Sequence, residues 1–221
     1  MKRYVLVLLA LVLFAGITSV LLEWRVNQKI VVCASRPATA VHTRENELLW
    51  RVHHGGDITL ADVQPIRKFV DSRYDCSDFR LQSVLRILYE YGDQLSPDIH
   101  HELKRMLLDF KYWMTEPGND GMCFWSENHQ ILFAAAEYLA GQLYPKDVFT
   151  NNGETGQHRM DQARMRILSW LRWRWLYGFS EWYSNVYYVE DIAALSNLID
   201  FAQDEEIVRK SQIILDLLMY D

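Results

Sequence analysis

Apolar positions recur at helical spacing through most of the chain, and the elements they predict are helices joined by polar turns. Thr59 and Asp62 have the spacing of a capping box, and Val63, Ile66 and Val70 continue it as one stripe, with Pro65 near the first turn where it is tolerated. Residues 78–91 carry Leu81, Val84, Leu85 and Leu88 on one face and stop at Gly92. Ser96 and Pro97 open a partner helix with Ile99, Leu103, Met106, Leu107 and Phe110. After a loop containing Pro117, Gly118 and Gly121, another helix begins near Asn128, with Ala134, Ala135, Tyr138 and Leu139 as inward candidates. Residues 145–156 form a long polar loop, residues 159–177 an Arg- and Trp-rich helix broken by Gly178, and residues 187–202 another helix. Asp204 caps the last one, whose Ile207, Ile214, Leu215 and Leu218 are apolar. No strand signal of any length competes, so the expected fold is all-α, built of tandem helical hairpins.

Two corners repeat along this series. Trp125, Asn128 and Ala136 have the same mutual spacing as Trp182, Asn185 and Ala193. The offset between the two sets exceeds the roughly 34–47 residues of common helical solenoid repeats, with the excess in loops, which favours an α/α toroid. A closed toroid has more hairpins than this chain supplies, so the hairpins are expected to form part of one, incomplete at the C-terminal end.

The beginning of the chain is of another kind. Lys2 and Arg3 precede an almost unbroken apolar run over residues 4–22, about the length that crosses a bilayer as a helix. The division expected is a signal peptide or membrane anchor at residues 1–25, a linker at 26–56 and the hairpin domain at 57–221. The positive flank stays cytoplasmic and sends the rest across, giving an extracytoplasmic protein, membrane-anchored or secreted.

Composition narrows the function. In 221 residues, half of them hydrophobic, the net charge is -6, which argues against a general nucleic-acid partner. Eight Trp and twelve Tyr supply both packing volume and stacking platforms for sugars. Cys33, Cys76 and Cys123 match no metal-ligand spacing, and nothing in the chain calls for a metal or another cofactor. Arg159, Arg164, Arg166, Arg172 and Arg174, interleaved with Trp170, Trp173 and Trp175, suit an anionic glycan or, more plainly, a solvated face with its Trp packed inward.

The segments Phe124-Trp125-Ser126-Glu127-Asn128-His129-Gln130-Ile131-Leu132-Phe133, Glu137-Tyr138-Leu139-Ala140-Gly141-Gln142-Leu143-Tyr144-Pro145 and Gly178-Phe179-Ser180-Glu181-Trp182-Tyr183-Ser184-Asn185 resemble an uncharacterised family of larger secreted or membrane proteins. Its members resemble α/α-toroid carbohydrate-active enzymes. More loosely, the chain is similar to toroid polysaccharide lyases of the alginate and chondroitin kind and to six-hairpin glycosidases. The lyase likeness implies Asn128 and His129 as the groups that neutralise a uronate carboxylate, and Tyr183, Tyr187 or Tyr188 as the proton carrier. The paired Asn and the aromatic surroundings of the lyase His are missing here, as is a clear Arg after the Tyr candidates.

A hydrolase needs two carboxylates across a cleft, and Glu127, Glu181 and Glu190, the last three residues after Tyr187, are the candidates. Trp125, Trp182, Tyr183 and Asn185 complete the expected substrate-binding set. Each has a plainer use: acids complement helix N-termini, Ser126, Ser184 and Asn185 cap them, His129 fits a core, and the Trp pair packs hairpins. The expected function is a carbohydrate-active enzyme of lyase or hydrolase type on acidic glycans, or a non-catalytic helical-repeat module binding glycan or protein. A reporter fused after residue 56 should be exported across the membrane; a soluble cytoplasmic reporter would contradict the export reading.

Overall fold

The computed structural model describes residues 47–220, and among these the chain forms α1 (Glu47–His53), α2 (Leu60–Asp71), α3 (Ser77–Tyr91), α4 (Pro97–Leu108), α5 (Glu127–Leu143), α6 (Gly156–Tyr177), α7 (Tyr188–Phe201) and α8 (Glu205–Tyr220). The apolar run at residues 4–22 lies outside the described residues. Among those described, no helix is long and apolar enough to cross a membrane.

The helix boundaries follow the local chemistry. The Asp62 carboxylate accepts from the Thr59 backbone N–H at 2.8 Å, closing the expected capping box on α2. Ser96 accepts from the Ile99 N–H ahead of Pro97, and the Asp204 carboxylate accepts from the N–H groups of Glu206 and Ile207. Two elements were not anticipated. The long loop after α5 contains a small antiparallel ribbon, β1 (Val148–Phe149) against β2 (Glu154–Thr155); two-residue strands are too short to show alternation in sequence. Helix α1 falls inside the stretch expected to be linker, because two turns with only Leu48 buried leave no period to detect.

Helix α5 occupies the centre. Its buried residues include Ile131, Phe133, Ala134, Ala136, Glu137 and Tyr138, which spread around the whole helix rather than along one stripe. It packs most extensively on α6 and also on α3 and α7, while α3 and α7 touch each other directly. The expected pairing of α3 with α4 is weaker than the packing of α4 on α2. Polar ties join the three inner helices: Gln82 donates to the Leu132 carbonyl at 2.9 Å, Asn197 donates to the Gln82 carbonyl at 3.0 Å, and Arg86 reaches Asn197 and Asp200.

The apparent repeat does not survive as a structural equivalence. Asn128 lies buried in the first turn of α5, whereas Asn185 is exposed in the loop before α7. The two helices begin at different points relative to their Trp residues.

The α5–α6 crossing depends on two glycines. A Cβ on Gly141 would lie 2.5 Å from the Gly156 carbonyl oxygen, and one on Gly156 would lie 2.1 Å from that of Tyr144. Beside them, buried Arg159 pairs with Glu116 at 2.6 Å and Glu137 at 2.9 Å, and Arg166 also pairs with Glu137. Gly141→Ala gains about 1 kcal/mol of helix propensity, but overpacking against a backbone oxygen, which cannot move aside as a side-chain tip can, falls at the upper end of the usual range, about 2–3 kcal/mol. The variant should therefore lose roughly 1–2 kcal/mol in a urea titration; an unchanged midpoint would show that the helices separate freely here.

Candidate functional site

The central position of α5 carries its polar first turn into the interior, where Glu127, Asn128 and His129 are all buried. Each side chain meets a different segment. Glu127 accepts from the Ser180 backbone N–H at 2.7 Å, from the Ser180 hydroxyl and from the Arg174 guanidinium, so α6 and the following loop are fastened to α5 through one carboxylate. The Trp170 indole N–H also donates to the Glu127 carbonyl at 2.9 Å. Asn128 accepts from the Ser126 hydroxyl at 2.6 Å, leaving its amide nitrogen with no partner among the described residues.

His129 lies on the other side of this turn. Its Nδ1 is 2.6 Å from Asp78 at the start of α3, its ring stacks on Phe79, and its Nε2 lies 4.0 Å from Asp75. Only 6% of the residue is exposed. Burial alone would lower the imidazole pKa, but the hydrogen bond to Asp78 and the charges of Asp78, Asp75 and Glu181 outweigh it and raise the value. Beside it, Cys76 has φ +66 and a thiol pushed up to about 11 by burial, Asp75 and Asp78, which makes it a poor nucleophile. Cys76 and Cys123 are both free thiols.

The third group comes from α7. Asp191 is fully buried, and one oxygen each from Asp191, Glu127 and Glu181 lie within 4.8 Å of one another. Burial first, then the charges of Glu127 and Glu181, push the Asp191 carboxyl up to about 8. Burial and Glu127 likewise raise Glu181, although the Asn128 backbone N–H donates to its carboxylate. Glu181 is half-buried, so this acidic group borders solvent at the loop.

The expected site residues thus divide. Glu127, Glu181 and the first turn with Asn128 and His129 converge. Trp125, Trp182, Tyr183, Asn185 and Tyr187 are exposed, with Trp125 at 72% and Trp182 at 68%. They flank the carboxylates in sequence without sharing their contacts. Glu190 is half-buried in the first turn of α7 and its charge bears on Cys76 and Asp191. Tyr187 precedes Asp191 by one turn, and Tyr183, at φ +54, sits in the left-handed region that non-glycine residues rarely adopt.

The Arg- and Trp-rich helix keeps the expected orientation only at Trp170, which is buried, and Arg172, which is exposed. Arg159, Arg164, Arg166 and Arg174 are all ion-paired within the protein, while Trp173 and Trp175 are exposed. Beside the site, Trp113, Gln130, Arg166, Ser169, Trp173 and Arg174 line a groove of about 380 Å³ between α5 and α6.

Asp78 and Asp191 had no place in the expected set, yet a signal exists. Each heads a helical stripe with spacing i, i+3, i+4, i+7: Asp78 with Leu81, Gln82 and Leu85, and Asp191 with Ala194, Leu195 and Leu198. An acid in register with the apolar stripe is directed into the core. Asp75, Ser180 and Arg174 carry no such mark.

Comparison with protein-family models, with curated proteins and with solved structures finds no match.

The raised imidazole fixes the sign of a pH effect. The native state holds a proton that the unfolded chain releases first, so the stabilisation is fully present below the unfolded value near 6.5 and is lost as pH rises through the higher native one. His129→Gln should reduce the fall of stability across neutral pH without abolishing it, because Asp191 still titrates there, and cost roughly 1–3 kcal/mol below neutrality, because Asp78 loses its partner. Urea midpoints on both sides of neutrality measure this, and equal pH slopes for the two proteins would contradict the His129–Asp78 coupling.

Proposed function

We propose that this protein is carbohydrate-active and takes an acidic glycan at the corner where the Trp125 and Trp182 loops meet the first turn of α5. The reading places it outside the cytoplasm, secreted or held by its N-terminal run, with its hairpins as part of an α/α toroid. One observation carries it: exposed Trp125 and Trp182 flank in sequence the carboxylates of Glu127 and Glu181, which gather with Asp191 and border solvent at Glu181.

The chemistry follows from the groups present. Exposed Trp125, Trp182, Tyr183 and Tyr187 offer faces for sugar rings. A uronate carboxylate entering the corner is met by the unpartnered Asn128 amide and by a His129 imidazolium favoured by Asp78, which is the neutralisation that abstraction of the adjacent proton requires. The Tyr187 phenol then takes the C5 proton as it gives its own hydroxyl proton to the leaving oxygen, so that the C4–O bond breaks and a C4–C5 double bond forms. If water is the nucleophile instead, Glu181, whose pKa burial and Glu127 raise, is the group that donates to the leaving oxygen, with the Glu127 carboxylate as acceptor of the water proton. The near-complete burial of His129 favours a second reading, in which the same corner binds glycan and leaves it intact.

The full-length protein, incubated with uronate-containing polysaccharides, should generate new reducing ends, and the ultraviolet absorbance of an unsaturated product separates elimination from hydrolysis. Glu181→Gln should lower hydrolysis by at least about a hundredfold, and Tyr187→Phe should do the same to elimination. Trp182→Ala should weaken binding roughly tenfold. Binding without turnover would assign the corner to the non-catalytic reading, and neither binding nor turnover of any acidic glycan would end the carbohydrate proposal.

A further inference from the structure

We propose that Glu127, Glu181 and Asp191 together bind one divalent cation of the hard, oxygen-seeking class, Ca²⁺, Mg²⁺ or Mn²⁺. Three carboxylates from three separate segments, the start of α5, the loop after α6 and the first turn of α7, bring one oxygen each to within 4.8 Å of one another. Oxygens on a common ion at about 2.0–2.6 Å lie no farther apart than twice that length, so the spacing suits one shared centre.

The state of the oxygens points to a ligand independently of their proximity. Asp191 is fully buried, and neither of its carboxylate oxygens has a hydrogen-bond partner among the described residues. Glu127 Oε1 and Glu181 Oε2 are likewise buried and unpartnered. The partners that do exist leave these atoms open: Arg174 and Ser180 occupy Glu127 Oε2, so Oε1 is available for an ion. One guanidinium faces three carboxylates, and a divalent cation balances the remainder. Unpartnered buried carboxylates are costly, and coordination offsets that cost directly.

The donor set selects the class of ion. Carboxylate oxygen without imidazole or thiolate suits hard cations rather than zinc or copper. His129 is turned to Asp78 through Nδ1 and faces Asp75 through Nε2, so it does not join the set. Three protein oxygens leave coordination positions for water or a substrate oxygen, and half-buried Glu181 gives the ion its way in. The ion would also clamp the loop carrying Trp182 and Tyr183 onto α5.

The full chain, held in detergent and stripped with a chelator, is titrated with Mn²⁺ and with Ca²⁺, without glycan, and followed by calorimetry and thermal unfolding. Saturable binding of one ion per chain with a rise in melting temperature is expected. Loss of even an outer partner of a metal site lowers affinity about 10–100-fold, so Asp191→Asn and Glu181→Gln should each lose more than about tenfold. Both ion-free variants should melt no lower than the ion-free wild type, since each removes a repelled charge. Should Asp191→Asn fail to fold, Glu181→Gln, at the half-buried edge, decides. Folded wild-type protein that binds neither ion, or binding that persists in both variants, overturns the proposal and leaves the glycan reading standing, because no glycan enters the measurement.

Discussion

Burying α5 on almost every side imposes the constraint on which the rest of this structure depends. A helix that meets neighbours almost all round, with Gln130 alone fully exposed, leaves little surface to water, so Glu127, Asn128 and His129 of its first turn must find partners inside the protein. Glu127 finds Ser180 and Arg174, His129 finds Asp78, and Asn128 finds Ser126 through its oxygen alone. These bonds hold α3, α6 and the loop before α7 at one corner. Farther along α5, the same demand is met by the pairing of Glu137 with Arg159 and Arg166. Removing one partner of such a buried pair is costly, since the other charge stays behind.

The two ends of this polar arrangement differ in a way that bears on function. Around Glu137 two guanidinium groups approach one carboxylate, and Glu116 adds another acid to Arg159, so the charges interleave. At the first turn the balance fails: Glu127, Glu181 and Asp191 share Arg174, and buried oxygens lack donors. What distinguishes the first turn is its charge balance: three carboxylates face one guanidinium there, whereas two guanidinium groups face Glu137 and Glu116 at the other end. Excess negative charge in a buried pocket bordering solvent is the kind of arrangement that a proton, a cation or a reacting group completes.

Much of the helical framework was legible in the sequence because its signals are local. Thr59 with Asp62, Ser96 with Pro97, and Asp204 mark helix starts by chemistry that acts within one turn, and the apolar stripes of α2, α3 and α4 declare their buried faces. The site was legible in part. Glu127, Asn128 and His129 stand together because they are consecutive, and Glu181 is recognisable by its aromatic neighbours. Asp78 and Asp191 were hidden by appearing to be ordinary first-turn acids; their place at the head of apolar stripes is visible only when burial is considered together with charge. The Trp and Asn spacing suggested equivalent corners, but the first turn of α5 begins at Glu127 whereas α7 begins only at Tyr188, so Asn128 is enclosed and Asn185 is not. Arg159 and its relatives looked like a surface because nothing in a sequence says that Glu116 and Glu137 come to meet them.

The account turns on the first turn of α5 being a site that receives something rather than a finished structural joint. Diffraction from crystals of the protein soaked in Mn²⁺, recorded near the manganese absorption edge, tests this most directly. The account predicts one anomalous peak between the carboxylates of Glu127, Glu181 and Asp191, with oxygen atoms from all three at coordination distance. A map without a peak there, in which Asp191 instead donates a proton directly to Glu127 or Glu181, would contradict it.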